Sequence, residues 1–165
     1  MRYLSNPETG NVDKYLERCI ELALKASCER HKCGSVIVKN NQIIGEGYNT
    51  PPGQLLNQNN SQKRCHIKKD EYNLKVTDKT CCVHAEQRAI FDALKKYGDE
   101  IEGSTIYFMR IDKNDRPTFA GKPYCTICSK SILDVGISTF ILKTEQGIIS
   151  YDTEEYNNLS FEYGE

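Results

Sequence analysis

Two short stretches constrain this 165-residue chain more than any others: "CCVHAEQRAI" at residues 81–90 and "KPYCTICSK" at 122–130. Each reads as the start of a helix. "HAEQRAIFDALKKYG" repeats apolar residues at helical spacing through Ala85, Ala89, Ile90, Ala93, Leu94 and Tyr97, with Gly98 placed to end it. "CTICSKSILDVG" is a shorter helix closed by Gly136, and the strand "STIYFMRI" lies between the two. The chain has only three histidines, yet one of them stands two residues before a glutamate, with a C-x-x-C pair about forty residues downstream.

In mid-helix, residues i and i+2 point about 200° apart, so His84 and Glu86 could not face one ion there. At the first turn, where the capping signals place them, an ion near the axis is reachable from both. Cys125 and Cys128, at i and i+3, bring both sulfurs to one side of the second helix start. Helix N-termini favour negative charge and lower thiol pKa values. Two thiolates and an imidazole balance Zn²⁺ with three protein ligands, the number that leaves a position for water in catalytic sites. Zinc lowers the pKa of such a water from about 15.7 to about 7, and Glu86 is the expected proton carrier. Taken alone, C-x-x-C also fits a redox pair or half of a structural zinc knuckle, and Glu86 also fits an ordinary first-turn carboxylate.

The rest of the chain supplies the frame. "DKYLERCIELALKAS", from Asp13, spaces Leu16, Ile20, Ala23 and Ala26 as one amphipathic helix. The β-branched runs at 36–38 and 43–44 flank an Asn-Asn turn, which reads as a hairpin. Residues 50–80 lack periodicity and are rich in Asn, Gln and Lys, as expected of a long surface insertion. "ISTFILK" is a further strand, and the tail from Gly147 leaves room for one more strand and helix. The order α-β-β-α-β-α-β implies a partly parallel sheet covered by helices. One domain of this length buries roughly 68–70% of its unfolded surface, enough to fold without staples.

Composition narrows the function. No basic N-terminal segment precedes an apolar run, and no stretch reaches the length of a membrane span, so a soluble cytoplasmic protein is expected. In that compartment, among the eight cysteines, those in C-x-x-C spacing point to metal or redox chemistry more than to structural bridges. A formal net charge of −1 disfavours nucleic acid and makes a small molecule the default partner.

"HAE" at 84–86 with "PYCTIC" at 123–128 resembles the zinc-dependent cytidine and deoxycytidylate deaminases, whose H-x-E…P-C-x-x-C pattern is a known signature. "SCERHKCGSVIVKN", "IIGEGYNTPP" and "CVHAEQRAI" look closest to the deoxycytidylate branch, and the likeness spans roughly residues 13–142. The resemblance implies a three-layer α-β-α fold, a cytidine deaminase-like α/β architecture with a central mixed five-stranded sheet. It implies zinc held by His84, Cys125 and Cys128, proton transfer by Glu86, and contact of Asn49 with the sugar of a small nucleotide or nucleoside. The implied reaction is dCMP to dUMP with release of ammonia, in a homo-oligomer. Alternatives are deamination of another nucleoside, nucleotide or base, or a non-catalytic zinc-stabilised binding module. Asn49 also fits a plain turn residue.

This chain departs from the family pattern where Tyr124 separates Pro123 from Cys125 and where "DKNDRPTFAGK" lengthens the loop before them. The intact C-x-x-C spacing should preserve zinc binding, and the changed segments bear on the substrate. Burial is the ordinary reading of Cys19 and Cys33. Phage relatives hold a second, structural zinc with cysteines at positions like Cys28 and Cys65, and here Cys82, Cys81 or His66 could complete such a clip. Lys63, Arg64, Arg30 and Lys32 are candidate phosphate contacts.

Overall fold

The computed structural model describes residues 1–28, 31–53 and 82–162. The proposed insertion, with Lys63, Arg64, Cys65, His66 and Cys81, lies almost wholly outside the described residues, as does Arg30.

Five strands make the body of one mixed sheet: β2 (Lys32–Lys39), β3 (Gln42–Tyr48), β4 (Thr105–Ile111), β6 (Thr139–Thr144) and β7 (Gly147–Asp152). Two-residue strands β1 (Arg2–Tyr3) and β5 (Pro117–Thr118) extend it, giving the order β1-β7-β6-β4-β2-β3 with β5 on β4. The expected five-stranded core is therefore present with two small additions. Neither short strand has enough residues to show an alternation.

The β2–β3 hairpin turns where expected: Asn40 and Asn41 both take positive φ, 50° and 62°. That pair of conformations matches the twist of the flanking strands, and asparagine tolerates it better than most residues. Among the described strands only β4 and β6 pair in parallel, from Thr105↔Thr139 to Phe108↔Leu142, with a helix crossing between them.

Side-chain alternation along the sheet divides the core into two layers. Val36, Val38, Tyr107, Met109, Ile141 and Ile148 face α1 (Asn6–Ala23), which meets them with Val12, Tyr15, Leu16, Cys19 and Leu22. The other face carries Ile37, Ile106, Phe108, Phe140 and Leu142 against α2 (Ala85–Tyr97), α3 (Thr126–Asp134) and α4 (Thr153–Phe161). The three-layer arrangement thus follows from the period of two in each strand. Helix α1 begins seven residues earlier than Asp13, since Pro7 fits a first helical turn; it stops at Ala23, and Ala26 is buried just beyond it.

Helix α2 lies flush on β3 because Gly45 and Gly47 have no side chain. A Cβ at Gly47 would stand 2.2 Å from the Ala85 carbonyl oxygen, and one at Gly45 would stand 2.4 Å from that of Ala89. The facing helix positions Ala85, Ala89 and Ala93 are all fully buried. Leu94 falls outside that stripe and is exposed beside Phe91.

Strands β3 and β4 both run antiparallel to β2, so their C-terminal ends lie at the same end of the sheet. The helices that follow them, α2 and α3, start from that end. Two helix N-termini, with their unpaired backbone N–H groups, are thereby brought together, as is usual for ligand sites of open α/β sheets.

Candidate metal centre and active site

His84 is the residue that caps α2, in extended conformation with φ −69° and ψ 155°. Its backbone N–H donates to Gln87 Oε1 at 3.1 Å, which fixes the entry of the chain into the helix. Cys125 plays the same part at α3: its sulfur accepts from the Cys128 backbone N–H at 3.4 Å. Both metal-type ligands therefore sit where helix dipoles stabilise negative charge.

His84 Nδ1 lies 3.2 Å from Cys128 Sγ and 3.4 Å from Cys125 Sγ. Zinc bonds of ~2.3 Å to sulfur and ~2.0 Å to nitrogen give a tetrahedral N···S edge of about 3.5 Å, so the three side chains fit a zinc ion with little movement. The ligand atoms all fall within 4.8 Å of one another, and among the described residues no fourth side chain joins the group. The thiols and imidazole also polarise one another. Hydrogen bonding from Cys128 holds Cys125 down at about 4, the bond to Cys125 raises His84 to about 9, and Cys128 is pushed well above its ordinary range by Cys125. A divalent cation displaces protons shared in this way, so zinc affinity rises with pH.

Glu86, one position into the first turn, is 4% exposed. Burial pushes its carboxyl up to about 7, against the opposing pull of the nearby His84 charge. The acid thus faces the ligand group. Tyr124, just before Cys125, is 38% exposed. Its insertion leaves the i, i+3 geometry of the two cysteines intact, with Cys125 capping and Cys128 inside the helix.

Asn49, at the end of β3, is buried, and its side chain ties two backbones together. Oδ1 accepts from Cys33 N–H at 2.7 Å and Nδ2 donates to the His31 carbonyl at 2.8 Å. The next residue, Thr50, bridges to Val83, whose N–H donates to its carbonyl at 3.0 Å. That bridge joins the Asn49 turn to the residue before His84. Sequence reasoning missed the group that reinforces it, Arg88, although an arginine one turn after His84 in an alanine-rich stretch was a usable signal.

The other candidates separate. Lys32 pairs with Asp115 at 2.6 Å on the surface. Cys28 and Cys82 are in no disulfide, and among the described residues neither belongs to a metal-type cluster. The loop after β4 is ordered by Asp112, whose Oδ1 accepts from the N–H groups of Asn114 and Arg116 at 2.8 and 3.0 Å before β5 folds back on Arg110 and Ile111.

Replacing a direct ligand tests the centre. Changes to outer-shell partners of a metal cost about 10–100-fold in affinity, so Cys125→Ser is expected to lose more than that in a chelator competition. The same titration on the unaltered chain counts the zinc: one tightly held ion excludes the second clip, and two support it.

Comparison with known proteins agrees with this geometry. The family described as "Cytidine and deoxycytidylate deaminase zinc-binding region" matches residues 10–144. The deoxycytidylate deaminase of Schizosaccharomyces pombe is 28% identical over 147 residues, 84% of this chain and 39% of the relative. That of Saccharomyces cerevisiae is 30% identical over 133 residues, 78% of this chain and 36% of the relative. The chain thus spans well under half the length of either. In fold it is similar to the dCMP deaminase of cyanophage S-TIM5 crystallised with dCMP and dUMP, with TM-score 0.56 and 23% identity over 83% of this chain and 82% of that one. With the match covering most of its length and the His-Cys-Cys group in place, this chain belongs to the cytidine and deoxycytidylate deaminase zinc-binding family.

Proposed function

We propose that the chain is a single-domain, zinc-dependent hydrolytic deaminase that converts dCMP to dUMP and ammonia. The observation that carries this reading is a three-ligand metal group with a buried carboxyl two residues from its histidine and electrostatically coupled to it. A purely structural zinc site has no use for such an acid.

Zinc, when bound by His84, Cys125 and Cys128, supplies the Lewis acidity that brings a water within reach of ionisation near neutral pH. The chain's own contribution is to move protons and to orient the base. Glu86 accepts a proton from the water that attacks C4 and passes it to ring N3. It then carries the second proton to the departing amino nitrogen, so that a C4–O bond replaces the C4–N bond and ammonia leaves. A carboxyl kept near neutrality by burial suits both the taking and the giving. Asn49 uses one oxygen lone pair and one N–H on the backbone; the second of each remains for a sugar hydroxyl.

Deoxycytidylate as substrate is supported by the names of the two fungal relatives. The partner is then a small nucleotide rather than a nucleic acid. The six cysteines of the described residues form no disulfide with one another, which suits the reducing cytoplasm, and no helix there is long and apolar enough to cross a membrane. Exposed Phe91 and Leu94, neighbours on one face of α2, suit assembly of several copies.

The test is ammonia release from zinc-loaded protein given dCMP, dCTP, cytidine, deoxycytidine, cytosine, guanine or adenosine. Turnover of dCMP at least about tenfold above the rest, a gap of ~1.4 kcal/mol in transition-state binding, is the expected result. A different winner reassigns the substrate, and silence across the set favours a binding module.

A further inference from the structure

The turn that follows β3 is fastened to α2 by one side chain. Arg88 Nη2 donates to the carbonyl of Thr50 and to that of Pro51, each at 3.1 Å. The Thr50 carbonyl also accepts from Val83 N–H at 3.0 Å, so both of its lone pairs are used. Three segments meet at this one oxygen: the turn that begins with Asn49, the residue that delivers His84, and the first turns of the helix that carries Glu86.

Arg88 is costly at this position. Burial works against its charge, and its Nε is buried with no acceptor. Among the described residues no carboxylate lies within ion-pair distance of it. Its stem lies close against β3, since a Cβ on Gly47 would come within 2.8 Å of Arg88 Cβ. A neutral side chain would avoid the desolvation cost, but the charged Nη2 carries two N–H groups and reaches both successive carbonyls from one atom.

We propose that Arg88 is a positioning residue: it locks the turn at 49–51 onto the start of α2, so that Asn49 and His84 move as one unit. It acts through the Thr50–Val83 bridge and not by touching the reacting atoms. The consequence for catalysis rests on the deaminase reading above, whereas the mechanical consequence does not.

Two measurements on the zinc-loaded full chain separate these. In Arg88→Met, hydrogen exchange at the Val83 amide should quicken by about tenfold, the expected effect of losing charge-assisted bonds to its acceptor, while amides of β2 stay as they were. KM for dCMP should rise by a similar factor of about ten with kcat within about threefold, because the turn is loosened while the acid and ligands stay in place. Arg88→Lys, whose ammonium can reach one of the two carbonyls, should recover part of both changes. Unchanged Val83 exchange and KM in Arg88→Met would overturn the proposal. So would a fall in melting temperature and kcat with KM kept, the mark of an ordinary packing residue. If the unaltered protein does not turn over dCMP, the substrate reading fails, and the exchange experiment alone decides the role of Arg88.

Discussion

Glu86→Gln is expected to retain zinc and its melting temperature while losing ammonia release by at least about 10²–10⁴-fold, the range set by general acid–base catalysis. The substitution keeps the shape of the side chain and its hydrogen-bonding reach. The Glu86 side chain is almost fully buried, so its carboxyl already bears the cost of burial, and a neutral amide fits the same space without it. An amide cannot take the proton from water or hand it on, and no other buried carboxyl is among the described residues to replace it. Rates should be measured on protein whose zinc content has been determined beside the unaltered chain. Turnover within tenfold of the original would refute the assigned proton transfer. Loss of zinc instead would make Glu86 a ligand, and the acid would have to be sought elsewhere.

The second large effect concerns stability and sets two glycines of the α1 layer against each other. A Cβ at Gly34, in β2, would lie 1.9 Å from the Cys19 carbonyl oxygen and 2.8 Å from the Ala23 backbone nitrogen. Both atoms belong to the backbone of α1, so no rotamer change relieves the contact, and the helix must lift from the sheet. Gly34→Ala should therefore cost about 3 kcal/mol or more, the upper range for overpacking. In a domain of this size that is a drop of roughly 6–12 °C in melting temperature. Gly10, inside α1, has nothing within 4 Å of an added Cβ and has no positive φ. There, alanine should stabilise by about 0.5–1 kcal/mol through the lower entropy of the unfolded chain. Thermal melts of the two variants should move in opposite directions; a tolerated Gly34→Ala would mean that α1 does not sit this close to β2.

Much of the site was readable because its determinants are local. The ligand spacing Cys125–Cys128, the position of His84 at a helix start and the acid two residues on are set by helix geometry within a few residues. So are the Asn40–Asn41 turn and the glycines that end α2 and α3, at Gly98 and Gly136. Strands β1 and β5 were not readable, since two residues carry no period and their pairing depends on where β7 and β4 already lie. The early start of α1 was obscured by Pro7 and Gly10, which a helix tolerates but does not advertise. In α2 the apolar pattern ran through Leu94, yet the glycines of β3 draw only the alanine stripe into contact.

The amino-acid order by itself determined the chemistry: which side chains can bind a soft divalent ion, which can carry a proton, and which face of each strand is apolar. Tertiary structure alone decided that two helix starts about forty residues apart share one end of the sheet, that the Asn49 amide bonds the backbone at His31 and Cys33, and that Arg88 reaches across to the turn at 49–51. The reason is the range of the forces involved. Caps, turns and periodicity act over a few residues, whereas the meeting of distant side chains waits on the close packing of whole layers, which no short window of sequence contains.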